Sequence, residues 1–322
     1  MMNSLIVPVY KNESTIPDLI QAIKGLSTQL VGGLEVVFVV DGSPDQSAPL
    51  LNQLLPESGL RAKLLLLSRN FGSFAAIRAG LAAAEGEYLA VMAADLQEPP
   101  GLLLDFFRTL QSEHVDIVIG TREARGDPFL SRLAADGFWF MYRKFVVPDM
   151  PIGGVDVFGC NRKFRDHLVR MEESHSSLVA QLFWMGFRRK TIGYARLARL
   201  SGKSAWTFRK RFTYLQDSLF SFTDLPIRIL TWIGVAGILF SVVLGCIVVL
   251  AKLFDLIPVP GYAATILVVA FFGAVNIFGL GIVGTYAWRT YENTKHRPLA
   301  ICTEELSFPG STEGNMHSEE GA

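Results

Sequence analysis

Cysteine is scarce: Cys160, Cys246 and Cys302 are the 3 in 322 residues, and they lie far apart. Their scatter excludes a disulfide framework and a thiolate zinc site. The 5 histidines do not cluster either. Net charge is absent, with 30 basic and 30 acidic side chains, so no global electrostatic argument favours nucleic acid. The start, Met1-Met2-Asn3-Ser4, has no basic leader and its apolar run stops at Tyr10. That predicts no signal peptide and an N-terminal domain that stays in the cytoplasm. Locally, charge of one sign is missing twice. Arg188 to Arg211 carries nine Lys/Arg and no acid, whereas the chain from Ala300 onward carries five Glu and no Lys or Arg.

What is plentiful is apolar. Half of the residues are hydrophobic and the mean hydropathy is +0.32, which suits a membrane protein better than a soluble enzyme. Short apolar runs at Leu5 to Val9, Leu34 to Val40, Lys63 to Leu67, Tyr88 to Met92 and Val115 to Ile119 read as strands. Amphipathic stretches at Thr15 to Leu26, Ala48 to Leu55, Phe74 to Ala84 and Gly101 to Gln111 read as helices between them. Such alternation, with strands apolar on both faces, predicts an α/β fold with a mostly parallel sheet covered on both sides.

Residues 128 to 147 mix aromatics with Arg132, Arg143 and Lys144, which fits a helix at a membrane surface or one facing a core. Phe208 to Phe222 runs straight into an apolar segment, which favours an interfacial helix. The run from Ile229 to Ala251 is free of charge, and Ala263 to Tyr286 is equally long. At about 1.5 Å per residue both can cross a bilayer. Basic residues flank the outer ends of the pair, Arg209, Lys210, Arg211 and Arg228 before it and Arg289, Lys295 and Arg297 after it. The turn between has only Lys252, so both ends are expected in the cytoplasm. The expected division is a catalytic domain over 1–206, a juxtamembrane amphipathic helix over 207–228, two membrane helices over 229–288, and a cytoplasmic tail over 289–322, disordered after Leu306.

Asp95 leaves the C-terminal end of the strand Tyr88 to Met92, the edge where open α/β sheets bind ligands. Asp95 and Gln97, two residues apart, can both offer oxygen to one hard cation. Asp41 ends another apolar strand before the turn Gly42-Ser43-Pro44-Asp45, where it either accepts from a nucleobase edge or serves as a turn-former. Arg69-Asn70-Phe71-Gly72 stands at a strand-to-helix turn, whose free N–H groups suit anions. Asp156, flanked by Gly153-Gly154 and Gly159, is an acid in an apolar setting.

Val7-Pro8-Val9-Tyr10-Lys11-Asn12-Glu13, Val40-Asp41-Gly42-Ser43-Pro44-Asp45, Ser68-Arg69-Asn70-Phe71-Gly72 and Ala94-Asp95-Leu96-Gln97-Glu98-Pro99-Pro100 appear in this order. Together with the apolar pair, they resemble the polyprenyl-phosphate glycosyltransferases of glycosyltransferase family 2, which have the A-type fold. The resemblance covers residues 4 to about 298. It implies an inverting enzyme that moves one sugar from a nucleotide sugar, by default UDP-linked, to a polyprenyl phosphate such as undecaprenyl phosphate. The product would be a lipid-linked sugar for cell-envelope or lipopolysaccharide glycans, made at the cytoplasmic face of a bacterial inner membrane.

The resemblance also implies roles. Pro8, Tyr10, Glu13, Asp41, Ala93, Ala94 and Arg122 would contact the donor. Asp95 and Gln97 would hold Mg²⁺ or Mn²⁺, a Lewis acid for the departing diphosphate. Asp95 and Asp156 would be catalytic, Asp156 orienting the acceptor or taking its residual proton. Arg199, Lys203 and Ser204, in the run leading to Trp206, would clamp phosphates, although nine cations beside a membrane also suit a lipid anchor. Homo-oligomers, tetramers by the same resemblance, are implied too. The chain departs from the family at Ala93, Val40, Asn12 and Ala205, where the usual residues are Asp, an acid, Glu and Lys. Glu13 and Lys203 lie close enough to substitute. A processive polysaccharide synthase of the same fold is the enzymatic alternative. Gln181-Leu182-Phe183-Trp184 lacks the Arg-Trp ending of the motif such enzymes use to hold a polymer. A non-catalytic scaffold that binds lipid or nucleotide is the other.

Overall fold

The computed structural model describes residues 1–122, 140, 142–144, 146–151, 154–155, 157–173, 176–197, 208–254 and 262–310. The first half alternates strand and helix: β1 Asn3–Val9, α1 Ile16–Ser27, β2 Leu34–Val40, α2 Ser47–Ser58, β3 Arg61–Leu67, α3 Ser73–Ala83, β4 Tyr88–Val91, α4 Pro100–Ser112 and β5 Ile117–Arg122. Then come β6 Val157–Asn161, α5 Arg162–Val169, α6 Leu178–Trp184, β7 Arg189–Tyr194 and, after three further helices, β8 Cys302–Phe308. The strands form one sheet of 8, in the order β7-β5-β6-β4-β1-β2-β3-β8. β6 and β8 are antiparallel to their neighbours; the other pairings are parallel.

Alternation along the strands feeds two cores. Leu5, Val7 and Val9 pack on one face with Ile16, Leu19 and Ile23 of α1, Leu51 of α2 and Phe106 of α4. Ile6, Val37 and Val39 pack on the other face with Leu81 of α3, Phe164 of α5 and Leu182 of α6. Strands buried on both faces must be apolar throughout, which is why they read as continuous hydrophobic runs.

The chain passes from β1 to β2 on one side, then returns through α3 to β4 on the other side of β1. This reversal makes the gap between β1 and β4 the topological switch point, where such sheets bind ligands. Pro8 fits the gap. The Ile6 carbonyl accepts from Met92, so even-numbered residues of β1 face β4, whose pairing ends at Ile6. Pro8 therefore faces the space beyond the end of β4, and its missing N–H leaves no ladder bond unmade.

Three helices follow: α7 Phe208–Phe222, α8 Leu225–Leu253 and α9 Tyr262–Thr294. α8 and α9, of 29 and 33 residues, are long and apolar enough to cross a membrane. Most of their described large apolar side chains point outward, with Trp232 72%, Ile238 66% and Ile277 73% exposed, a surface that water alone does not favour. Glycines let the pair approach: a Cβ on Gly279 would stand 3.1 Å from Leu230, and one on Gly237 3.2 Å from the Phe272 ring. α7 is fastened to the end of α9. Arg289 pairs with Asp217 at 2.7 Å, donates to Ser221 at 3.2 Å and lies over the Phe220 ring at 5.2 Å.

The structure departs from the sequence reading in its later strands. The Val157 to Cys160 stretch enters the sheet as β6, and part of the basic stretch is β7. Lysine and arginine on an edge strand are ordinary, since charge there discourages further pairing. The tail is also different. Instead of disorder beginning after Leu306, β8 Cys302–Phe308 pairs with β3, and Leu306 and Phe308 pack on the core. Ser68 donates to the Ile301 carbonyl at 2.9 Å, and the Thr303 hydroxyl to the Leu66 carbonyl at 3.0 Å. Residues 311–322 lie outside the described residues. Of the 128–147 stretch, Tyr142 and Val147 belong to the core, which favours its core-facing reading at those positions.

Candidate active site

The C-terminal ends of β1, β2, β3, β4, β5 and β7 line one edge of the sheet, and the residues expected to bind the donor gather there. Asp45 laces the loops after β1 and β2. Its carboxylate accepts from the Ser43 hydroxyl at 2.6 Å, the Ser47 hydroxyl at 3.0 Å and the Glu13 amide at 3.2 Å. Ser43 in turn accepts from the Lys11 amide at 2.8 Å, and Glu13 from the Gln46 amide at 2.9 Å. Burial opposes charge on Asp45, but hydrogen bonds from Ser43, Ser47 and the Glu13 backbone outweigh it and hold the carboxyl below its usual range. Tyr10 projects from this bonded frame, 39% exposed, with the Lys11 ammonium 5.5 Å from its ring centroid.

Asp41 is buried, and both of its oxygens are engaged. Phe71 N–H donates to Oδ1 at 2.7 Å and Gly72 N–H to Oδ2 at 2.9 Å. Gly42, at φ 55°, lies against the same turn; a Cβ there would meet the Arg69 carbonyl carbon at 2.3 Å. Asp41 thus braces the turn before α3, which neither sequence reading specified. Any nucleobase contact must use its remaining acceptor positions.

On the other side of the switch point, the Ala94 carbonyl accepts from the Thr15 hydroxyl at 2.9 Å, and buried Glu98 accepts from the Ala93 amide at 3.3 Å. These bonds shape the turn that presents half-buried Asp95. Leu96 has φ 54°, a left-handed conformation that costs a non-glycine residue about 1–3 kcal/mol and collects at ligand sites. Lys11, at φ 58°, is strained in the same way across the gap.

Gln97 is buried and tied to the segment after β7. Leu197 N–H donates to the Gln97 carbonyl at 2.9 Å, the Gln97 amide nitrogen to the Leu197 carbonyl at 3.5 Å, and the Arg196 guanidinium to Gln97 Oε1. Arg122 ends β5 in register with Tyr194 of β7, which places it on the same edge. β6 enters the sheet from that edge at Val157, opposite Gly120. Asp156, Arg199, Lys203, Ser204 and Ala205 lie outside the described residues. Gln181 is buried and engaged: it accepts from Arg78 at 2.8 Å and donates to Glu173 and Ser176 at 3.1 Å.

No group of three or more His, Cys, Asp or Glu able to hold a metal occurs among the described residues. A divalent ion held by Asp95 and Gln97 would complete its shell from phosphates and water, a pattern that suits Mg²⁺. The Asp95 carboxylate fits that role. Gln97 fits it only when Arg196 releases its amide oxygen. Asp45, Glu98 and Arg196 are the site residues that sequence reasoning did not single out. For Asp45 the signal was present, a carboxylate two residues ahead of the start of α2. For Arg196 nothing distinguished one cation among nine.

Residues 4–171 match the family described as glycosyl transferase family 2. The chain belongs to that family. It is a glycosyltransferase, and its mostly parallel sheet is like that of the A-type fold. A Bacillus subtilis (strain 168) protein named as a glycosyltransferase, CsbB, is 32% identical over 301 residues, covering 94% of this chain and 91% of the relative. The bactoprenol glucosyl transferase of Shigella phage SfV is 28% identical over 306 residues, covering 95% and 99%. Among solved structures, the glucosyl-3-phosphoglycerate synthase of Mycobacterium tuberculosis, in complex with Mn²⁺, UDP and glucosyl-3-phosphoglycerate, is 17% identical with a TM-score of 0.41, covering 62% and 73%.

Proposed function

We propose that this glycosyltransferase moves a single sugar from a nucleoside-diphosphate sugar, by default UDP-linked, to a polyprenyl phosphate at a membrane surface. One observation carries the reading. The sheet edge that presents Asp95, Gln97, Arg122 and Arg196 belongs to a chain whose two longest helices are apolar and outward-facing. The similarity to bactoprenol glucosyl transferases runs through those helices as well as the sheet. A phosphate site beside a bilayer suits an acceptor with an isoprenoid tail and an anionic head.

β8 supports the topology. The chain leaves the catalytic sheet before α8 and rejoins it at β8 after α9. If both helices cross the membrane, the sheet and the tail strand stay on one side. Flanking Arg and Lys residues favour the cytoplasmic side.

In the proposed reaction, Tyr10, Pro8 and the frame held by Asp41 and Asp45 receive the nucleoside. Ala93 stands where the family has an acid, so one donor contact is lost. Asp95 would hold Mg²⁺ or Mn²⁺, which when bound supplies Lewis-acid neutralisation of the diphosphate. An acceptor phosphate oxygen attacks the anomeric carbon from the face opposite the leaving diphosphate, which inverts that centre. The acceptor is ionised at neutral pH, since a phosphate's second pKa is near ~6. Asp156 therefore orients the acceptor or takes its residual proton. Arg122, Arg199, Lys203 and Ser204 would bind phosphate oxygens as charge shifts to the leaving group. Leu197, two residues before Arg199, is bonded to Gln97.

The test is purified protein in detergent with undecaprenyl phosphate and a panel of nucleotide sugars. A lipid carrying one sugar is the expected product. A long water-soluble polymer would instead indicate a processive synthase, and donor binding without turnover on any donor would indicate a scaffold.

A further inference from the structure

Arg196 occupies the oxygen that the family pattern offers to a metal. Its guanidinium donates to Gln97 Oε1, and the two backbones are joined through Leu197 N–H to the Gln97 carbonyl at 2.9 Å. The contact is therefore held by the main chain as well as by charge. The Arg196 Nε–H is enclosed and meets no acceptor among the described residues. A buried guanidinium N–H without an acceptor is a strained arrangement that an arriving anion would relieve.

A divalent cation held here would use Gln97 Oε1 as a ligand. The guanidinium holds the same oxygen by a hydrogen bond, so both charges would lie within a few ångströms in a partly dry site. Like charges so placed exclude one another. The anion that accompanies the cation, the donor's diphosphate, offers the guanidinium its natural bidentate partner.

We infer that Arg196 is exchanged between two partners: it holds Gln97 Oε1 when the donor is absent and transfers to the diphosphate when the cation and donor arrive. This rests on the nucleotide-sugar reading of the edge. Arg196 then both keeps the cation from binding alone and reads the second phosphate.

Two measurements on full-length protein in detergent test the exchange. The first is Mn²⁺ binding without nucleotide, followed by electron paramagnetic resonance. The second is the affinity for UDP relative to UMP, by calorimetry with Mn²⁺ present. Arg196→Met should bind Mn²⁺ alone several-fold more tightly, since a competing cation is gone. Its preference for UDP over UMP should fall about tenfold, the loss of one charge-assisted phosphate contact. Arg196→Lys keeps the charge and should keep Mn²⁺ binding weak, and it covers the case in which the Met variant folds poorly. Equal weakening of UDP and UMP, or unchanged Mn²⁺ binding in Arg196→Met, would overturn the exchange. If wild-type protein binds neither nucleotide, the donor reading fails instead, and the Mn²⁺ measurement still decides whether Arg196 and a cation compete.

Discussion

The two sides of the switch point are built differently. On the side of β1, β2 and β3, the polar groups satisfy one another: Asp41 closes the turn before α3, and Asp45 ties the first two loops together. On the side of β4, β5 and β7, a cation rests on a neutral amide, with Arg196 donating to Gln97 Oε1 and a strained Leu96 between Asp95 and Gln97. The first side is finished in the free protein. On the proposed reading, the second holds groups that change partner when a substrate arrives. A nucleoside is a flat, weakly charged body that a rigid slot can receive. A diphosphate brings its own charge and cation, so its site gains from groups that can change partner.

Substitutions on the two sides should therefore fail in different ways. Asp95→Asn removes the charge but not the shape. Sugar transfer should fall by about 10²–10³-fold while the thermal unfolding midpoint stays within a degree or two of wild type. Retention of transfer with Mg²⁺ or Mn²⁺ would end the metal assignment. Asp41→Ala should do the reverse. Two backbone donors lose a buried carboxylate, which should cost about 2–4 kcal/mol in denaturant unfolding. Residual activity per folded molecule should change less than in Asp95→Asn.

The smallest effect concerns pH. Asp45 is held below its ordinary value of 3.8, with burial opposing and the hydroxyl and amide donors prevailing. Because its folded pKa lies below the unfolded one, its contribution to stability is complete above about 3.8 and is lost as pH falls through the folded value. Asp116 shifts the same way, with burial opposing and Arg188 and Asn161 prevailing. Acid unfolding of Asp45→Asn should be flatter below pH 4 than that of wild type, read by circular dichroism. An unchanged acid limb would remove Asp45 from the frame.

Much of this frame was legible before the structure. The first five strands and four helices follow from apolar runs and amphipathic spacing, and their ends agree to within a residue or three. The position of Asp95 and Gln97 at the edge beyond β4 was legible, because they follow the end of an apolar run that reads as a strand. Three strands were not read. β6 is only Val157–Asn161 and begins beside glycines, β7 carries Arg189 and Lys190, and β8 carries Glu304 and Glu305, so none shows a clean apolar run. β8 owes its place to the bare edge of β3, a contact 237 residues apart in the chain at Thr303 and Leu66. The commitments of Asp41 and Gln97 to backbone and guanidinium were likewise hidden, because both depend on loops that meet only in the folded sheet.

Hydrogen exchange of the free protein, compared with protein saturated with UDP and Mn²⁺, tests the contrast most directly. Amides of Lys11, Glu13, Phe71 and Gly72 should already be slow in the free protein and change little. Those of Ala93 and Leu197 should change most on binding. If instead the loops after β1, β2 and β3 gain the most protection while the turn at Asp95 and the segment at Arg196 stay as they were, the division between a finished side and an unfinished one is wrong.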